Sequence, residues 1–199
     1  LAFHAGFWNR LNVDLELYYK QTSDMLMEVP APYSTTGYGY YWDNVGTMVN
    51  MGAEINVNAN LLTVKDFNWS VNANVSYNYN EITELYNGVQ EYERSSTNTK
   101  LVVGHSLGEF FINRYAGVNP ANGDALWYDK DGNITNVLRD EDKVLVGKSY
   151  IAPWQGGFGT ALQWKGLSLT AQFSWVADRW MLINDRYFDE SNGRFMAYN

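Results

Sequence analysis

From Val49 to Leu61 every second residue is apolar. Val49, Met51, Ala53, Ile55, Val57, Ala59 and Leu61 share one parity, while Asn50, Gly52, Glu54, Asn56, Asn58 and Asn60 share the other. The pattern recurs from Asn68 to Asn80, where Trp69, Val71, Ala73, Val75, Tyr77 and Tyr79 alternate with asparagine or serine. Successive side chains of a strand point to opposite faces, so this period assigns one face to an apolar medium and the other to a polar one. Each run is more than twice the usual strand length of about 5–6 residues. Whatever this chain folds into must supply two different surroundings for one long strand pair.

Further segments follow the same rule. Leu11, Val13, Leu15, Leu17 and Tyr19 alternate with Asn12, Asp14, Glu16, Tyr18 and Lys20, and a tight turn near Asn9-Arg10 links them to an earlier strand over Phe3 to Phe7. Phe158, Thr160, Leu162 and Trp164 lead through Lys165-Gly166 into Leu167, Leu169, Ala171, Phe173 and Trp175. About six antiparallel strands result, and no stretch shows comparable helical periodicity. Connections near residues 8–10, 62–67 and 165–166 are short, whereas those over roughly 21–47, 83–155 and 178–199 are long. Short turns on one side and long loops on the other are the layout of an outer-membrane barrel.

The spacing of the aromatics fits that layout. Trp69 and Tyr79 share the apolar parity ten positions apart, which is about 33 Å along a strand at about 3.3 Å per residue. Tilted at about 45°, such a strand covers roughly 23 Å of depth, close to the apolar band of about 25 Å between two aromatic girdles. Trp164 beside a short turn and Trp175 toward a long loop repeat the arrangement. Aromatic residues make up 16% of the chain, and headgroup level is where amphipathic rings are at home. The mean hydropathy of -0.36 does not oppose this, because a barrel strand needs only alternate residues to be apolar. The expected fold is all-β, an antiparallel transmembrane β-barrel segment with long extracellular loops. A soluble β-sandwich alternates for the same geometric reason and stays open as a second reading.

Charge and composition narrow the function. A net charge of -8 leaves no basic stripe for phosphates, so nucleic acid is not an expected partner. With no cysteine, disulfides and thiolate metal sites are excluded. Gly104-His105-Ser106-Leu107-Gly108 fits the G-x-S-x-G elbow of α/β-hydrolases. That chemistry needs a histidine base later in the chain, yet the two histidines are His4 and His105, and neither follows Ser106. Ser106 is therefore read as a loop serine, and the chain as no enzyme, with no cofactor and no metal.

Binding candidates lie elsewhere. Tyr38, Tyr40, Tyr41 and Trp42 in a Tyr- and Gly-rich loop are candidates for stacking on sugar rings or peptide side chains, or for packing against a partner protein; alternatively they pack the loop onto the barrel rim. Glu54, alone among asparagines, is expected to face the lumen, where it would touch solute or whatever fills the barrel. Asp129, Asp131 and Asn133 in DKDGN suggest a Ca²⁺ loop, but Ile134 occupies the sixth position, where glycine belongs. Asp131-Gly132 and Asn122-Gly123 are better read as hairpin turns. His4 is read as an ordinary residue near a strand end.

Several longer stretches carry more than periodicity. YYKQTSDML (18–26), DNVGTMVNMGAEINVNANL (43–61), DFNWSVNANVSYNYNEITEL (66–85), VGHSLGEFFINRYAGVNPANGDALWYDKDGN (103–133) and PWQGGFGTALQWKGLSLTAQFSW (153–175) resemble, in order, the barrel of SusC/RagA-type TonB-dependent outer-membrane transporters. The resemblance implies about six strands from the C-terminal half of a plugged barrel of about 22 strands, located in the outer membrane. It implies active import of a nutrient, an oligosaccharide or peptide, with a SusD-like surface lipoprotein and with TonB acting through the plug. Residues 1–199 are then part of a single barrel domain, with the plug and remaining strands outside this chain. Leu1 is no initiator residue, and a piece of a longer polypeptide is expected. Six strands with open edges would leave N–H and C=O groups unpaired in lipid. A soluble glycan-binding sandwich and a passive porin are the functional alternatives.

Overall fold

The computed structural model of the chain describes residues 1–94 and 97–183. Its frame is one six-stranded sheet in which every neighbouring pair is antiparallel. In spatial order the strands are β1 (Ala2–Phe7), β2 (Leu11–Thr22), β5 (Thr47–Val64), β6 (Phe67–Glu84), β14 (Trp154–Trp164) and β15 (Leu167–Ala177). This is the expected set of six. The chain meanders across the sheet and leaves it twice on the same side. The first excursion is the hairpin β3 (Leu26–Pro30) and β4 (Tyr40–Asn44), with a one-turn helix α1 (Tyr33–Thr36) at its tip. The second, between β6 and β14, was expected as a long loop but folds into two small sheets. One joins β7 (Glu91–Arg94), β8 (Thr99–Val102), β9 (Glu109–Ile112) and β13 (Val144–Ser149); the other joins β10 (Arg114–Val118), β11 (Ala125–Tyr128) and β12 (Ile134–Thr135). Of the third expected long connection, 178–199, residues 184–199 lie outside the described residues.

Register decides the two faces. Antiparallel partners point the same way, and the pairing sets Phe3, Leu15, Ile55 and Val75 in one row and Ala5, Val13, Val57, Ala73, Phe158 and Phe173 in the next. The opposite face carries Asp14, Asn56 and Asn74, then Asn12, Asn58, Asn72 and Gln172. Parities chosen strand by strand thus merge into one apolar and one polar surface. Ile55 is 38% exposed and Phe158 52%, and no second sheet covers this face among the described residues, as a sandwich would require. Phe158 and Phe173 stack at 4.9 Å, and Tyr77 lies 4.6 Å from Trp154 toward the long-loop end.

Two local features modify the alternation. Asn60 pairs with Ser70 but Leu62 pairs with Trp69, so Leu61 is the extra residue of a β-bulge, and Leu62 and Val64 take over the apolar face. The three short turns close as 8–10, 65–66 and 165–166, the last with positive φ at both Lys165 and Gly166, the backbone that suits the strand twist.

Strand length positions everything else. A tilted membrane strand needs about 9–11 residues, which β14 and β15 match at 11 each. β5 and β6 run for 18 residues each, so about seven residues of each project past the bilayer on the long-loop side. On that projection the even-numbered, polar parity turns apolar at Met48 and Ile82, which are cross-strand partners. Ile82 is fully buried there with Met27, Leu85 and Leu101, against Met25, Val45, Val89, Tyr92, Val103 and Leu107. The even-numbered positions were expected to meet water within 49–61 and 68–80. They do so along the wall and not at its outer end, where both excursions fold over them.

Candidate functional site

The polar face is a wall of side-chain amides tied across strands. Tyr18 extends over Gly52 and its hydroxyl donates to Asn78 Oδ1 at 2.7 Å. Gln172 extends over Gly159 in the same way and donates to Asn72 Oδ1 at 3.2 Å. Near the outer end, Asn50 Oδ1 accepts from the amides of Asn78 and Asn80 at 3.2 and 3.0 Å. Large side chains crossing glycines fill a strand surface that would otherwise be thin, and hold the register.

Glu54 lies on this wall, as expected, but it is not the lone acid there. Its cross-strand partner in β2 is Glu16, and on its other side stands Ser76. Like charges set directly opposite disfavour the pairing, so the wall holds a local negative field at this row. One row toward the short turns, Asp14 bonds His4 Nδ1 at 2.5 Å. Glu16 lies 38 positions from Glu54 in the chain, and only the β2–β5 register brings them together. The available signal was in the two alternations, which share a parity of acids once paired.

The four aromatic candidates all belong to the first excursion, and all are exposed in the described chain: Tyr38, Tyr40, Tyr41 and Trp42 at 71, 52, 47 and 57%. They do not form one cluster. Tyr40 and Trp42 share a face of β4 with Pro30 and Glu28, whereas Tyr41 pairs with buried Val29 on the other face, and Tyr38 lies between α1 and β4. Glu54 is in mid-wall, so the structure does not bring it to these rings.

The Gly104–Gly108 turn docks on the end of β6. Gly104 N–H donates to the Ile82 carbonyl, and Ile82 N–H donates to that of His105. Ser106 Oγ donates to Asn80 Oδ1 at 3.2 Å and lies 3.4 Å from Ser149 Oγ. His105 Nδ1 meets Glu109 Oε2 at 2.8 Å instead, and the other oxygen of buried Glu109 accepts from Gly147 N–H. The histidine is engaged away from the serine, and the turn is a bracket between β6, β9 and β13.

The DKDGN segment closes the β11–β12 hairpin. Asp129 accepts from the backbone of Asp131 and Asn133 and from the Asn133 amide, at 2.8–3.0 Å. These bonds, led by the Asn133 side chain, hold its carboxyl below the ordinary value. Asn122-Gly123 likewise closes β10–β11. Among the described residues no group of three or more His, Asp or Glu is placed to hold a metal ion.

A wall with one face apolar and the other lined by amides, continuous over six strands and capped at one end, has clear relatives. The family model "TonB dependent receptor-like, beta-barrel" matches residues 3–199. The chain belongs to that family. The TonB-dependent receptor SusC of Bacteroides thetaiotaomicron is 32% identical over 158 residues, 72% of this chain and 15% of that protein. The TonB-dependent receptor P26 of Formosa agariphila is 28% identical over 87% of this chain and 19% of its own length. A solved structure of the RagAB peptide transporter superposes with a TM-score of 0.86 at 36% identity, covering 95% of this chain and 22% of that one. The chain thus spans about a fifth of the length of these relatives. As a segment of such an outer-membrane barrel, it turns Ile55, Val57, Ala73 and Phe158 to hydrocarbon and the asparagine wall inward.

Proposed function

We propose that this chain forms part of the wall and outer rim of an importer that takes up a nutrient, an oligosaccharide or a peptide, across the outer membrane in a TonB-dependent way. It works with a SusD-like surface lipoprotein. The remaining strands and the plug on which TonB pulls belong to the rest of the polypeptide, and residues 1–199 are one part of a single barrel domain. The observation that carries this is the match to the RagAB peptide transporter over nearly the whole chain, excursions included. A wall shared with a passive pore would not need the excursions to match as well.

Each candidate residue has a role in that frame. Tyr40 and Trp42 offer flat, half-polar surfaces on the outside, suited to sugar rings, peptide side chains or the lipoprotein. Tyr38, between α1 and β4, and Tyr41, on the reverse face of β4, are separate candidates for the same contacts. Glu54 with Glu16 faces the lumen, and the amide wall offers plug or solute neutral donors and acceptors. The chain's part is to bound a conduit and shape its mouth.

The test uses the full-length protein in whole cells, offered separately labelled oligosaccharide and peptide pools. Uptake should stop when the proton gradient is collapsed or TonB is deleted, and a lipoprotein should co-purify in detergent. Uptake indifferent to both treatments would replace this reading with a passive porin.

A further inference from the structure

The buried cluster at the outer end draws its residues from three separate pieces of chain. Met27 comes from β3, and Met25 and Val45 flank the first excursion; Ile82 comes from the projecting end of β6; Leu101, Val103 and Leu107 come from the second excursion. Backbone bonds fasten the joints. Met25 and Val45 are tied by Val45 N–H to the Met25 carbonyl, and Met25 N–H to that of Gly46. On the other side Gly104 and His105 bracket Ile82. Gly46, at φ +94°, is where the hairpin rejoins the wall, and a Cβ there would stand 2.8 Å from Met27 Sδ and 3.1 Å from the Glu84 carbonyl. The hairpin that carries the exposed rings is therefore packed against the excursion that begins some forty residues later.

We propose that the two excursions act as one cap rather than as independent loops, with Leu101 of the second excursion a positioning residue for the β3–β4 hairpin and its Tyr40–Trp42 face. Leu101 is 3% exposed and Met27 7%, so neither apolar side chain has an alternative home short of water. A β-hairpin alone is marginally stable, and β3–β4 pairs with no other strand among the described residues. Its order comes from packing, at Val29, which is 2% exposed, and in the cluster through Met27. Loosening Leu101 frees the hairpin although no residue of the hairpin has changed. The coupling stands on packing alone; its bearing on solute capture rests on the import function proposed above.

Limited proteolysis of the full-length protein in detergent tests it. Chymotrypsin cuts after Tyr and Trp, and the hairpin has five such sites from Tyr33 to Trp42. Cleavage at Tyr40, Tyr41 and Trp42, which lie in β4, requires local opening of the paired strands. Leu101→Ala should raise the rate of cutting at Tyr40 to Trp42 by about tenfold or more, mapped by mass spectrometry. The heat-modifiable mobility of the barrel should stay as in the parent, and Leu101→Met should restore the parental rate. Val118→Ala, in an exposed position of β10, should leave it unchanged. Should Leu101→Ala abolish the folded band, the milder Leu101→Val is read the same way. Hairpin cleavage no faster than in Val118→Ala overturns the cap. Faster cleavage with undiminished uptake of the solute found in the transport assay would instead count against the aromatic face as a recognition surface and leave the coupling standing.

Discussion

Ala73 and Ile82 belong to the same strand, nine residues apart, and live under opposite rules. At Ala73 the sheet is one layer thick. Its partners Val57 and Phe158 are exposed or half-buried, and stability comes from the medium: hydrocarbon on one side, water and protein on the other. At Ile82 the medium supplies nothing. The side chain is fully buried among residues of two excursions, as in a small water-soluble domain. Backbone pairing is common to both, since β5 and β6 stay paired from Thr47 to Val64. The difference teaches that a strand can keep its ladder while exchanging the source of its stability, once it passes the edge of the bilayer.

If that division is right, a charge on the apolar face should harm the wall and spare the cap. Val57 pairs with Val13 and Ala73 near mid-strand. Val57→Arg should cost about 2–4 kcal/mol of folding into lipid, the depth-dependent penalty for arginine near the midplane. Urea titration of the full-length protein into vesicles measures it. On the opposite face, Asn58→Ser should stay within about 0.5 kcal/mol. Asn58 is a better control than Asn72, whose Oδ1 accepts from Gln172. Equal penalties at 57 and 58 would mean that the faces have been assigned wrongly.

The reverse perturbation is Gly46→Ala. Positive φ at an L-residue and the close approach of Met27 and the Glu84 carbonyl together should cost about 1–3 kcal/mol. The loss should appear in the cap alone. Amides of Met25 and Val45, which close the hairpin's base, should exchange faster, while those of Val57 and Ala73 keep their protection. Uniform loss of protection across β5 and β6 would show that wall and cap are one cooperative unit.

The wall was legible in the sequence because its cause is local and repeated. Strand after strand reports the same two surroundings, and short turns such as Lys165-Gly166 mark where direction reverses. The cap was not, because its cause is non-local. Met27 and Leu101 sit in apolar runs of three, Met25-Leu26-Met27 and Leu101-Val102-Val103, too short to assign a face, and nothing near Leu101 says that it will join one cluster with Met27, 74 positions earlier. The short strands β7 to β13, of two to six residues, are too brief for periodicity to register, so 83–155 reads as loop. Ile82 does break parity, an apolar residue on an asparagine face, and that break marked the end of the wall. Glu54 was placed on the correct face, but its neighbour Glu16 came only with the register. The four rings from Tyr38 to Trp42 read as one loop group, because nothing in 21–47 announced a strand; the separation of Tyr41 from Tyr40 and Trp42 came only with the β3–β4 pairing.

The smallest effect concerns a part of the cap remote from its core, and it separates turn chemistry from ion binding at DKDGN. Asp129 is half-buried in the β11–β12 turn, far from the buried cluster, and its bonds to Asp131 and Asn133 shape that turn without carrying the cap. Because those bonds favour the ionised carboxyl, its folded-state value lies below the ordinary 3.8. The sign follows from that depression. The contribution is complete above the ordinary value and is lost as pH falls through the depressed one, when the carboxyl takes up a proton. Between neutral pH and about pH 5 the turn should therefore not respond. Below the ordinary value, the amides of Asp131 and Asn133, which donate to Asp129 Oδ1, should lose protection after correction for intrinsic exchange, while Ile82 keeps its own. Asp129→Asn should show the loosened turn at every pH. A metal ion holding the segment would behave differently, since added chelator at neutral pH would then release the same amides. Protection unmoved by acid and abolished by chelator would show that the carboxylate serves an ion and not its own backbone.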